Sequence, residues 1–167
     1  MQFRNIATVG GSVFGRFGFS DVLTLLLVMD SYVELYKGGI VPVADFVNMP
    51  YDRDILVRVI VKKTAAHYSY KSVRISKTDF PVLTCAAALT QEGVQAAVGA
   101  RPAKAALVKD AEQLATLPMT AEKAQAFAEY AAGLLPTETN PRGSAAYRTH
   151  LIKVLTARCL TELGGKA

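Results

Sequence analysis

Apolar positions fall along this chain in two rhythms, and the change from one to the other divides it. Ser20 and Asp21 offer an N-cap ahead of Val22, Leu23, Leu25, Leu26, Leu27 and Met29, a run apolar on almost every side. That pattern predicts a short helix over residues 22–29 buried on most of its surface. Over residues 31–36, Val33 and Leu35 alternate with Tyr32, Glu34 and Tyr36, the period-two signature of a half-buried strand. Lys37-Gly38-Gly39 turns the chain into a second short strand over residues 40–43. Asn48-Met49-Pro50-Tyr51-Asp52 is then a polar, proline-containing break.

Beyond the break the period of two continues. Ile55, Val57, Val59 and Val61 share a face of a strand over residues 55–63, and Thr64-Ala65-Ala66-His67 turns it into another over residues 68–75. Residues 82–90, rich in small side chains, form a third, and Gln91-Glu92-Gly93 leads into a fourth over residues 94–99. Three or four antiparallel strands with one apolar face need a cover. The last third of the chain supplies it. Thr120 N-caps a helix whose Phe127, Tyr130, Ala131 and Leu134 form one stripe, and Pro136 stops it. Ser144 caps a longer helix with Leu151, Val154, Leu155, Cys159 and Leu163 on one face, and a shorter helical piece is predicted over residues 110–117. The expected class is α+β, with residues 1–50 as a mixed α/β lobe. Residues 51–167 follow as a small antiparallel sheet of three to four strands under about three helices.

Charge adds little to this picture. The 19 Lys and Arg against 14 Asp and Glu leave +5, and the cations are scattered (Lys62-Lys63, Arg74 and Lys77, Arg101 and Lys104) without a block. A nucleic-acid surface would cluster them; a solvated basic face, or one meeting an acidic partner subunit, fits better. The 2 cysteines, Cys85 and Cys159, lie in apolar stretches outside any CxxC pair. Buried free thiols of a reducing compartment fit them, with a disulfide between the two left open. The longest apolar run falls far short of the ~20 residues that span a bilayer. No cationic leader precedes it, so the expected location is the cytoplasm, away from membranes. His67 and His150 stand apart from any metal-ligand spacing, and no hydrolase, zincin or P-loop motif occurs.

One short run carries chemistry. In Thr8-Val9-Gly10-Gly11-Ser12 two adjacent residues lack a Cβ, so their N–H groups can face an anion closely. The plain alternative is a turn between a strand and a helix.

The run belongs to a longer pattern. Arg4-Asn5-Ile6-Ala7-Thr8-Val9-Gly10-Gly11 is followed by Ser20-Asp21, Val41-Pro42-Val43-Ala44-Asp45-Phe46 and Asp54-Ile55-Leu56. Tyr70-Lys71, Lys77-Thr78-Asp79-Phe80-Pro81-Val82-Leu83 and Arg142-Gly143-Ser144-Ala145-Ala146-Tyr147-Arg148 come next. In this order and spacing the chain resembles the FAD-binding (medium) subunit of the molybdenum hydroxylases, the xanthine dehydrogenase and carbon monoxide dehydrogenase family. The resemblance implies that residues 1–50 are the C-terminal part of a FAD-binding lobe, and that residues 51–167 are the medium subunit's C-terminal domain. It implies an FAD cofactor with Thr8, Gly10, Gly11 and Ser12 at its pyrophosphate, Ser20 and Asp21 hydrogen-bonding it, and Ile55, Leu56 and Lys71 near its ring. Its partners would be a molybdopterin-containing large subunit and an iron–sulfur small subunit, with electrons passing through FAD to NAD or another acceptor.

Three departures accompany the likeness. The family's "AGGTD"-type segment, which wraps the other side of the pyrophosphate, is not among these residues, so the resemblance implies half a cradle and weak flavin retention. Ser12 stands where the family has Asn, and Arg16-Phe17-Gly18-Phe19 replaces a small, proline-containing stretch. The apolar helix over residues 22–29 is then expected to leave an open surface, to be covered by a homo-oligomer or a missing chain. The other reading of the same residues is a docking module that binds partner subunits and no flavin.

Overall fold

A computed structural model describes residues 6–165; Arg4 and Asn5 of the resemblance lie outside them. Two antiparallel sheets hold the fold together. The first runs β2-β1-β3, with β1 Ser31–Leu35 central, β2 Gly39–Pro42 and β3 Leu56–Val61 on its edges. The second is a meander, β4 His67–Val73, β5 Leu83–Thr90, β6 Gly93–Gly99 and β7 Ala106–Lys109. Among the described residues, α1 Val9–Phe14, α2 Asp21–Leu27 and α3 Val43–Phe46 belong to the first part, and α4 Ala121–Leu134 and α5 Ala145–Gly164 to the second.

The caps form where local chemistry puts them. Ser20 Oγ accepts from the Leu23 amide at 3.2 Å, Thr120 Oγ1 from Lys123 at 3.3 Å and Ser144 Oγ from Tyr147 at 3.1 Å. Each satisfies one of the donors that a helix start leaves open.

β3 corrects the expected order. It is the third strand of the first sheet, not the opening strand of the meander: Val33 pairs with Val41 on one side and Val59 on the other. A register shift between Glu34 and Leu35 sets Leu56, not Val57, against Leu35. A one-residue slip exchanges the two faces of a strand. Ile55 and Val57 are therefore exposed, while Val59 packs inward beside Val33.

The second sheet is clad on both faces. Cys85, Ala87, Ala96 and Val98 meet Phe127, Ile152, Leu155 and Leu160 of α4 and α5. On the other side Ala86, Ala88 and Ala97 meet Leu23, Leu26 and Leu27 of α2. The small side chains let a helix sit close against the strands. So α2 leaves no open apolar surface, contrary to expectation: Leu23 and Thr24 are fully buried.

The helix expected over residues 110–117 is absent, and two helices instead of three cover that face. The Asp110 carboxylate accepts from the Leu114 amide at 2.9 Å and the Ala115 amide at 2.7 Å, donors that a helix would give to carbonyls. Gln113 has φ 56°, which no right-handed helix accepts. β7, too short to show a period, was missing from the expected elements.

The closing Arg148 is the largest fully buried side chain. Its guanidinium donates to Val82 O (3.0 Å), Glu138 O (2.6 Å), Gly143 O (2.6 Å) and Asn140 Oδ1 (2.5 Å). It ties the start of α5 to the loop before it and to the entry of β5.

Candidate functional site

Thr8 is the N-cap of α1, its Oγ1 accepting from the Gly11 amide at 3.0 Å, and the helical ladder begins with Ser12 N–H to Thr8 O at 3.0 Å. Gly10 and Gly11 therefore stand in the first turn of a short helix instead of in a turn after a strand. That geometry leaves the Val9 and Gly10 amides with no helical carbonyl to bond. A Cβ at Gly10 would meet only Leu56 Cδ2, at 3.9 Å, so the glycine's outer side is open.

Gly10, Gly11 and Phe14 of α1 face Asp54, Ile55 and Leu56 at the start of β3 across an open cleft of about 400 Å³. Four of the residues singled out from the sequence thus meet here: Gly10, Gly11, Ile55 and Leu56. Thr8 caps the same helix, and Ser12 lies half-buried one residue on. Asp54 at the rim is held ionised. Burial alone would raise its pKa, but the Lys37 (2.9 Å), Ile55 (2.8 Å) and Gly38 (2.8 Å) amides bond its oxygens and keep it below the usual range. Those bonds also pin the β1–β2 turn beside the cleft.

The other expected residues are engaged elsewhere. Ser20 spends its hydroxyl on the α2 cap. Asp21 accepts from both Arg74 (2.5 Å) and the Tyr70 hydroxyl (2.5 Å), joining α2 to β4. Burial, then the Asp21 bond, push the Tyr70 phenol far above its ordinary pKa, so it stays a donor. Lys71 points to the opposite face of that sheet, where Glu162 of α5 lies 2.7 Å away and raises the lysine's pKa. Phe14 and Asp54 also line the cleft without being among the expected site residues: Asp54 stands in the family pattern without a role, and Phe14 has no signal, because burial and hydrogen bonding across the chain do not show in a local pattern. Among the described residues no group of three or more His, Cys, Asp or Glu could hold a metal ion.

A larger groove of about 780 Å³ lies at the other end of β3, between the sheets, with Asp30, Lys62 and Tyr32 in its wall. Lys62 is already bonded to the Tyr32 hydroxyl at 3.0 Å and faces Asp30 at 3.7 Å, so its charge is internally answered. No helix among the described residues is long and apolar enough to cross a membrane.

Comparison with known proteins bears on the family and the fold. The family model "FAD binding domain in molybdopterin dehydrogenase" matches residues 1–64, and "CO dehydrogenase flavoprotein C-terminal domain" matches residues 68–163. The uncharacterized protein YgfM of Escherichia coli (strain K12) is 29% identical over 155 residues, 92% of this chain and 57% of YgfM. The chain thus spans little more than half of that relative. Carbon monoxide dehydrogenase from Hydrogenophaga pseudoflava superposes with a TM-score of 0.86 at 20% identity, covering 99% of this chain and 63% of that one. Quinoline 2-oxidoreductase from Pseudomonas putida 86 gives 0.81 at 22%, covering 100% and 64%. The two family models follow one another along nearly the whole chain, and the fold is that of the solved flavoprotein chains: this chain belongs to the FAD-binding medium-subunit family of the molybdenum hydroxylases, carrying its CO dehydrogenase flavoprotein C-terminal domain.

Proposed function

We propose that this chain is the flavin-holding part of the electron-transferring subunit of a molybdenum hydroxylase, with FAD lying along the cleft between α1 and β3. The observation that carries this reading is the convergence of Gly10 and Gly11 with Ile55 and Leu56, from elements far apart in sequence, on one open cleft. Bare glycine backbone suits a pyrophosphate, and apolar side chains suit a ring system. FAD, when bound, supplies the one- and two-electron chemistry. The protein's share is to hold and shield it. Thr8 fixes the start of α1, and the Val9 and Gly10 amides are the donors for a phosphate oxygen. Phe14, Ile55 and Leu56 keep water from one side of the cofactor. Asp21, locked by Arg74 and Tyr70, sets how α2 leaves this region. Lys71, on the far face of the second sheet, is not part of the proposed site.

In this reading the partners are a molybdopterin-containing large subunit and an iron–sulfur small subunit. Electrons reach the flavin from the clusters and leave to NAD or another acceptor. The test is a titration of FAD into the full chain, followed by flavin fluorescence anisotropy. The protein is expected to purify colourless or with traces of flavin and to bind added FAD weakly but saturably, with ADP competing. Anisotropy that stays at the free-flavin value at millimolar protein leaves a docking module without flavin.

A further inference from the structure

Three arginines are buried among the described residues, Arg16, Arg101 and Arg148, and their guanidiniums are satisfied to different degrees. Arg148 has Nε, Nη1 and Nη2 all bonded. Arg16, 2% exposed, donates only through Nη1, to Met49 O at 2.7 Å and Pro50 O at 2.9 Å. Its Nε and Nη2 are buried with no acceptor, and no carboxylate among the described residues pairs with it. Buried charges are normally paired, because an unmatched donor loses its water for nothing. Arg148, which braces the fold, leaves no buried nitrogen without an acceptor, and Arg101, bonded to Pro136 O, leaves only Nε; Arg16 leaves two.

Its surroundings say where the missing acceptor would enter. Arg16 Cζ lies 4.0 Å from the centre of the Phe46 ring, which is fully buried, and 4.9 Å from that of Tyr51, which is 62% exposed. Phe46 thus closes the inner side and Tyr51 covers the outer side, held there by a hydrogen bond from its hydroxyl to Gly15 O. The third ring, Phe14 at 5.7 Å, also lines the flavin cleft, so one ring separates the guanidinium from that cleft. Arg16 also falls in the stretch where this chain departs from the family's small, proline-containing pattern, so its role is not one carried over by resemblance.

We propose that Arg16 is an anion-binding residue beside the cleft, behind Phe14. Nε and Nη2 take two oxygens of a phosphate-class anion, the pyrophosphate of FAD, with Tyr51 the cover that the anion displaces. The parallel donors of a guanidinium suit such an anion. This rests on the flavin reading above.

The test uses the full chain, calorimetric titration with inorganic pyrophosphate, and flavin anisotropy with FAD, on wild type, Arg16→Gln, Arg16→Lys and Tyr51→Ala. Arg16→Gln is expected to weaken pyrophosphate binding about ten- to hundredfold. Arg16→Lys recovers part of the loss as a point charge, and Tyr51→Ala tightens binding because the cover is gone. Pyrophosphate binding absent from wild type, or equal in Arg16→Gln, overturns the assignment. Where Arg16→Gln does not fold, unchanged pyrophosphate affinity in Tyr51→Ala overturns it. Arg16-dependent pyrophosphate binding with no FAD binding by any form keeps the anion site and sinks the flavin reading; FAD binding that is the same with and without Arg16 does the reverse.

Discussion

The hydroxyls of Thr24 and Thr84 meet at 2.9 Å where α2 crosses the second sheet, both side chains fully buried. Thr24 Oγ1 donates to Ser20 O at 3.0 Å, so the proton between the two threonines comes from Thr84. Gly99 closes this contact. A Cβ there would lie 2.5 Å from each hydroxyl oxygen and 2.6 Å from Gly18 O. Gly99→Ala is expected to destabilise the protein by about 1–3 kcal/mol through overpacking. The measurement is a lower urea midpoint at unchanged m-value; an unmoved midpoint means that α2 can shift without cost.

Gly10→Ala should separate fold from site. The added methyl finds only Leu56 Cδ2 at 3.9 Å. Within a helix the change favours folding by about 0.5–1 kcal/mol, yet the methyl occupies the cleft. The expected result is an equal or higher melting temperature together with weaker FAD binding. Unchanged FAD affinity would place the cofactor elsewhere.

Arg148 permits no substitute. Arg148→Ala strands the buried carbonyl of Val82 and takes the donor from the part-buried ones of Glu138 and Gly143, and the expected loss is about 3 kcal/mol. Arg148→Lys carries the charge but cannot reach four acceptors, so it should recover only part. Denaturant unfolding of both variants reads this directly.

Asp79 makes stability depend on acid. Hydrogen bonds from Arg142, at 3.0 Å, and from the Phe80 amide hold its carboxyl below the usual range. A lowered folded pKa means stabilisation that is complete above the unfolded value, near 4, and lost as pH falls through the folded one. The difference in melting temperature between wild type and Asp79→Asn should be constant near neutrality and close below about pH 4. A difference that persists at pH 2 would assign Asp79 a role independent of its charge.

What could be read ahead of the structure was local. Ser20, Thr120 and Ser144 declare their caps within three residues, and the alternation of Val33 and Leu35 declares a strand. The family pattern brought Gly10, Gly11, Ile55 and Leu56 to one cleft. What stayed hidden depends on partners. Periodicity says which face of β3 is apolar, not that β1 is its neighbour or that Val57, left unpaired at the shift in register, exchanges its faces. Asp110 looks like a helix start until its carboxylate takes the amides of Leu114 and Ala115. Arg16 stands only as part of a stretch that departs from the family pattern, because nothing in its neighbours announces Phe46 and Tyr51 closing over it.

The alanine wall of Ala86, Ala88 and Ala97 sets an order of events during synthesis. α2 leaves the ribosome well before those alanines are made, so until β5 and β6 have paired its Leu23, Leu26 and Leu27 have only the residues of the first part, Val13, Val33 and Phe46 among them, to pack against. A nascent chain paused ahead of Gly99 therefore holds a helix covered on one side only, with the leucines that will meet the alanines still facing water.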